Sequence, residues 1–247
     1  MAGLKDKVAL VTGSSRSIGR AIAERLGRDG ASVIVHYNHQ ANEAQNVVAT
    51  IQDTGAQAVA IQADLTQVAE IRRLFTESLE HFGKLDVFVA NAGVPLIDVP
   101  LVKVTEEQFD QVYAVNTRAV FFALQEAARQ LQEGGRIINI SSSTTVHPTA
   151  GFSVYASSKA APKLVVEVLA QELGERQITV NSVVVGPTDS GFLDDAADAE
   201  KQRMAKMSPF NRMGTPEDAA DVVAFLSSVE SRWVSGQHIL TNGAAMM

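Results

Sequence analysis

Short β-branched runs alternate along this chain with longer segments of helical period. Apolar stretches at 7–12, 33–35, 59–61, 85–90, 137–141, 179–185 and 238–240 have the length and composition of strands. Between them, the spacing predicts helices over 18–28, 42–53, 68–81, 106–132, 153–174 and 216–226. Ile18, Ile22 and Leu26 share one face of the first helix, which Gly30 ends, and Pro216 opens the last. Strands alternating with helices, with no Pro/Ser-rich linker and no solenoid repeat, predict an α/β fold. Its core is a doubly wound parallel sheet of about seven strands with helices on both faces, and ligands are expected at the C-terminal ends of the strands. Residues 1–247 are read as a single domain. The polar stretch 189–215 is its least regular part and the expected substrate lid, the acidic run Asp194, Asp195 and Asp198 being a solvated face of it.

Composition narrows the function. Hydrophobic residues at 46% against 20% charged suffice for a buried core. Acidic residues outnumber basic ones 28 to 21, a net charge of −7 without a basic cluster, which argues against a sequence-independent grip on nucleic acid. Any phosphate must be held locally. The absence of cysteine removes disulfides, thiolate metal sites and a cysteine nucleophile. His36, His39, His81, His147 and His238 lack metal-ligand spacing and read as surface or loop residues, His147 alone being placed to line a pocket; no catalytic metal is expected. No stretch approaches the roughly 20 apolar residues of a membrane span, and Thr12 and Gly13 interrupt the first apolar run too early for a signal peptide. A cytoplasmic protein without membrane partners is expected.

Thr12-Gly13-Ser14-Ser15-Arg16-Ser17-Ile18-Gly19 joins the first strand directly to the first helix. A tight turn needs glycine for its backbone angles, but free N–H groups at a helix start also favour an anion, and this position suits a pyrophosphate. The second strand ends Val35-His36-Tyr37-Asn38 without a carboxylate, while Arg16 projects from the loop. A ribose 2′-hydroxyl calls for an acid there and a 2′-phosphate for a cation, so NADP(H) is favoured over NAD(H). Further on, Tyr155 and Lys159 stand four residues apart on one helix face. A nearby ammonium favours the phenolate and is expected to bring a tyrosine that titrates near 10 into useful range.

With these motifs the chain resembles the short-chain dehydrogenase/reductase family, classical type, over nearly its whole length. Its glycine pattern, TGxxxGxG, is met at Thr12, Gly13 and Gly19 with Ser17 in place of the middle glycine, and the nearest general similarity is to 3-oxoacyl-carrier-protein reductases. The resemblance implies a Rossmann-type sheet with Gly13, Ser15, Arg16, Ser17, Ile18 and Gly19 around the pyrophosphate and Tyr37 and Asn38 at the 2′ end. It implies Asp64 and Leu65 at the adenine, Asn91, Ala92 and Gly93 beside the adenosine ribose, and Gly186, Thr188 and Ser190 near the nicotinamide amide. Ser142 is implied to hold the substrate oxygen, Ser141 and Ser143 being alternatives in register. Tyr155 is implied as acid/base, Lys159 as the grip on the nicotinamide ribose, and Asn116 as the residue that steadies a water in the relay. Ala90 and Val185 depart from the family's usual Asn and Pro, and the β-carbon of Ser17 is expected to crowd the adenosine half. Pro162, one turn past Lys159, removes the N–H that would bond the Ser158 carbonyl and predicts a kink costing about 3 kcal/mol.

The implied activity is NADP(H)-dependent reduction of a ketone by hydride transfer. An NAD-dependent alcohol or sugar-alcohol dehydrogenase, and a nucleotide-sensing protein without turnover, remain as alternatives. The two long helices carry apolar residues on more than one face: Val112, Val115, Val120, Phe121 and Phe122 on one, Leu164, Val165, Val166, Val168 and Leu169 on the other. A homo-oligomer is expected, and the resemblance suggests a homotetramer.

Overall fold

A computed structural model describes residues 3–191 and 197–245 of the protein. Seven parallel strands form one sheet: β1 (Val8–Val11), β2 (Ser32–Tyr37), β3 (Ala58–Gln62), β4 (Val87–Ala90), β5 (Arg136–Ser142), β6 (Thr179–Val185) and β7 (His238–Thr241). They lie in the order β3-β2-β1-β4-β5-β6-β7. Winding reverses between β1 and β4, where Val11 pairs with both Val35 and Val89, and such a reversal opens a crevice at the carboxyl ends of the strands.

The two-residue period of the strands feeds two cores. Ala9, Val11, Val33 and Val35 face α1 (Ser17–Arg28), α2 (Ala41–Gln52) and α8 (Pro216–Ser227), packing with Ile22, Leu26, Ile51 and Val223. Val8, Leu10, Ile34 and Phe88 face the other way, against Ile71 and Phe75 of α3 (Val68–Phe82), Leu124 of α5 (Val120–Gln130) and Val166 of α6 (Ser153–Glu172). Burial on both faces explains why the strands read as continuous apolar runs.

Two helical expectations need correction. The segment 106–132 is not one regular helix: α4 (Glu106–Tyr113) passes into a π turn at Ala114–Ala119 before α5 begins. The cause is Asn116, whose side chain pairs with the backbone of Val94, the carbonyl accepting from Val94 N and the amide donating to Val94 O, both at 2.9 Å. The stretch 189–215 contains a two-turn helix, α7 (Asp198–Ala205), steadied by the Arg203–Glu200 pair. Its neck is closed by a parallel bridge between Thr188 and Gly214. Residues 192–196, with the acidic positions Asp194 and Asp195, lie outside the described residues. Among the described residues no helix is long and apolar enough to cross a membrane.

Candidate active site

One cleft of about 1350 Å³ runs along the carboxyl edge of the sheet. It exceeds the roughly 300–1,000 Å³ of an ordinary small-ligand pocket and has room for a dinucleotide beside a second molecule. Its wall at the end of β1 holds Gly13, Ser15, Arg16, Ser17, Ile18 and Gly19; the ends of β2 and β3 contribute Tyr37, Asn38, Asp64 and Leu65. Asn91, Ala92 and Gly93 follow β4, Ser142 ends β5, and Gly186, Thr188 and Ser190 follow β6. Tyr155 and Lys159 close the floor. Asn116 is the exception: it is fully buried behind the cleft, its side chain bound to Val94 and, at 3.0 Å, to Ser158 Oγ. Both the carbonyl and the amide of that side chain are engaged by protein, and they join the Val94 loop to α6.

The anion end is built from backbone. Arg16 takes the N-cap position of α1 in extended conformation, no side chain caps the helix, and its first turn carries no acidic residue. The uncapped N–H groups and the helix dipole therefore suit a phosphate. Gly19 lets helix and loop meet, because a Cβ there would sit 2.2 Å from the Gly13 carbonyl oxygen. These features fit a nicotinamide dinucleotide. Ser17 has φ of +53°, so the serine adopts the left-handed conformation that glycine takes freely. The departure thus acts through the backbone. Ser17→Gly is expected to stabilise the protein by about 1 kcal/mol, or about 2–4 °C in melting temperature. An unchanged melting temperature would show that the serine is relaxed there.

Sequence reasoning missed His36. It is buried rather than at the surface: the Gly13 N–H donates to Nδ1 at 2.9 Å, and Nε2 donates to the Ala63 carbonyl at 3.0 Å. A donor on one side and an acceptor on the other fix the neutral tautomer, so His36 pins the phosphate loop to the end of β3. The signal was its two-residue spacing from Ile34, which points both side chains to the same face. Gln40, also unpredicted, accepts from Ser15 Oγ at 3.1 Å. His147 does not reach the cleft wall, which that loop supplies through Thr144, Thr149, Ala150 and Phe152.

At the reacting end, Ser142 and Tyr155 both line the cleft, and Ser142 Oγ accepts from Thr144 N at 3.3 Å and from Thr144 Oγ1 at 3.0 Å. Ser141 faces away and donates to the Lys159 carbonyl at 3.3 Å. Burial pushes the Tyr155 phenol above its ordinary value, opposed by Ser142, while burial draws the Lys159 ammonium down to about 8. In place of the expected lowering of the tyrosine by the lysine, burial dominates at both groups and raises the phenol. Lys159 Nζ donates to the Ile140 carbonyl at 3.1 Å, and a Cβ on Gly93 would come to 3.0 Å from it and press on the ammonium. A neutral, half-buried phenol on the same cleft wall as a serine hydroxyl can hand a proton to a carbonyl oxygen lodged against both.

Comparison with known proteins agrees with this geometry. The family profile described as "Enoyl-(Acyl carrier protein) reductase" matches residues 13–244. The chain is 44% identical to "Short chain dehydrogenase claC" of Passalora fulva, over 98% of this chain and 95% of the relative. The chain belongs to the short-chain dehydrogenase/reductase family. Among solved structures of the family, a promiscuous reductase, LugOII, that catalyses keto-reduction at C1 during lugdunomycin biosynthesis superposes with a TM-score of 0.93 at 41% identity, covering 99% of each chain. The angucycline C-6 ketoreductase LanV with bound NADP also gives a TM-score of 0.93, at 40% identity over 98% of this chain and 96% of that one. The protein is thus an oxidoreductase of a family whose similar members include ketoreductases.

Proposed function

We propose that this protein is an NADPH-dependent ketoreductase acting on polycyclic aromatic ketones. The observation that carries the reading is that Ser142, the half-buried Tyr155 and, one helical turn on, Lys159 line one stretch of a dinucleotide-sized cleft. When bound, the nicotinamide supplies the hydride. Ser142 and Tyr155 hold the substrate oxygen, Tyr155 gives it a proton, and Lys159 binds the nicotinamide ribose. Asn116 supports them by fixing the loop at Val94 to α6. The uncapped start of α1 takes the pyrophosphate, Asp64 and Leu65 flank the adenine, Asn91 to Gly93 the ribose, and Gly186, Thr188 and Ser190 the amide. The aromatic substrate class draws on the name of a relative 41% identical over 98% of this chain, "Hydroxynaphthalene reductase-like protein Arp2" of Metarhizium majus, and on the apolar and thioether lining from Ile97, Phe152, Met204 and Met207, which adapts to flat rings. The segment around α7 is the substrate cover.

Preference for NADPH rests on Arg16 together with the carboxylate-free end of β2, where Tyr37, Asn38 and His39 line the cleft. Parallel fluorescence titrations with NADPH and NADH test it. Arg16→Ala is expected to weaken NADPH about 10- to 100-fold, the worth of a charge-assisted hydrogen bond, and to leave NADH unchanged. Equal binding of both cofactors by the wild type would reject it.

The protein is further proposed to be a homotetramer. Val112, Val120, Val166 and Leu169 are consumed by its own core, but Phe121, Leu164 and Val168 remain exposed on the outer faces of α5 and α6. A monomer in sedimentation at micromolar concentration would refute it.

A further inference from the structure

An α-helix bonds the N–H of residue 162 to the carbonyl of residue 158, and Pro162 has no N–H to give. Ser158 is fully buried, so its carbonyl cannot turn to water. Thr117 Oγ1 donates to it at 2.9 Å, from the π turn on the neighbouring helix. Asn116, the residue before, donates through Nδ2 to Ser158 Oγ at 3.0 Å, and that hydroxyl donates in turn to the Tyr155 carbonyl at 2.8 Å. Consecutive side chains of a regular helix diverge by about 100°. Here both end on one residue, Ser158, three positions after Tyr155 and next to Lys159.

We infer that Thr117 is a positioning residue for the reaction, supplying from outside the helix the hydrogen bond that Pro162 withholds and so setting the pose of Tyr155 and Lys159. This rests on the function proposed above. Proline at 162 makes the helix depend on the π turn: its own ladder is open at the turn that carries both reacting groups, and the missing donor comes from residues that also hold the Val94 loop. Ser141, donating to the Lys159 carbonyl, ties the same turn to β5.

The test is a double-mutant cycle on the full-length protein, using Thr117→Val, Pro162→Ala and the pair, with Thr117→Ser as the conservative variant. Melting temperature, NADPH affinity by fluorescence, and kcat and KM for reduction of an aromatic bicyclic ketone such as a tetralone are read together. Thr117→Val is expected to lower kcat about 10-fold or more, because small misplacements of reacting groups are costly, with NADPH affinity held within about twofold. Thr117→Ser keeps the hydroxyl and should restore kcat. In the Pro162→Ala background the backbone N–H at 162 returns, so Thr117→Val should lose much less there in both kcat and melting temperature. Additive losses, or a Thr117→Val variant that melts earlier with kcat unchanged, would overturn the proposal. If Thr117→Val alone does not fold, recovery of folding and turnover in the paired variant is the supporting result and its failure the opposing one. A wild type that reduces no ketone would defeat the functional reading instead, and the pairing is then judged by whether the melting temperatures are non-additive.

Discussion

Tyr155→Phe is expected to lower kcat for ketone reduction by about 1,000-fold while leaving NADPH affinity within about twofold, the magnitude following from loss of a positioned general acid. The substitution keeps the ring and deletes only the hydroxyl, so packing at the cleft floor survives. Burial raises the phenol above its ordinary value, and the proton it must deliver is therefore in place throughout the neutral range. Ser142 partly opposes that rise. Lys159, drawn to about 8 by burial, is mostly charged at pH 7 and loses its proton as pH climbs past 8. Reduction is thus expected to run level through neutrality and to fall on the alkaline side, where Lys159 becomes neutral. Turnover by Tyr155→Phe at even a tenth of the wild-type kcat would remove the tyrosine from the mechanism. Loss of NADPH binding in the same variant would point to collapse of the cleft rather than to a missing acid.

The sheet was legible because each strand is a short run built around valine or isoleucine and each crossover helix repeats its apolar residues at helical spacing. Gly13, Gly19, Tyr155 and Lys159 were legible for a related reason: their chemistry depends on local spacing, and local spacing is what a sequence displays. What escaped depends on partners distant in the chain. Nothing near Asn116 announces that its amide reaches Val94 and distorts the helix, so apolar periodicity carried the reading straight through 106–132. Pro162 predicted a kink and a lost bond; the compensating donor, Thr117, lies 45 residues upstream and could not be found by local rules. α7 failed for the opposite reason: its sequence, DAEKQRMA, is rich in helix formers but polar all round, so a search for an apolar stripe passes over it. His36 was readable and was misread, because a histidine near a strand end suggests solvent even where the alternation from Ile34 turns it inward.

That buried histidine is expected to set the acid limit of the fold. Its pKa falls from 6.5 to about 4 because burial disfavours the imidazolium, the bond to the Ala63 carbonyl only partly opposing this. Protonation would also place a second N–H against the Gly13 N–H that now donates to Nδ1 at 2.9 Å, breaking the link that holds the phosphate loop. Between pH 6.5 and about 4 the unfolded chain binds a proton at His36 that the folded one refuses, so stability rises with pH across that window. The contribution is complete above 6.5 and lost as pH falls toward 4, an amount on the order of 3 kcal/mol from a shift of this size. His36→Asn removes the titration. Urea unfolding at intervals from pH 7 to 4 should therefore show the wild type losing stability more steeply than His36→Asn over this range, with NADPH affinity of the wild type falling in parallel as Gly13 is released. Identical slopes for the two proteins would mean that His36 does not govern the acid response, and that carboxylates held below their ordinary range by arginine, such as Asp218 beside Arg212, carry it instead.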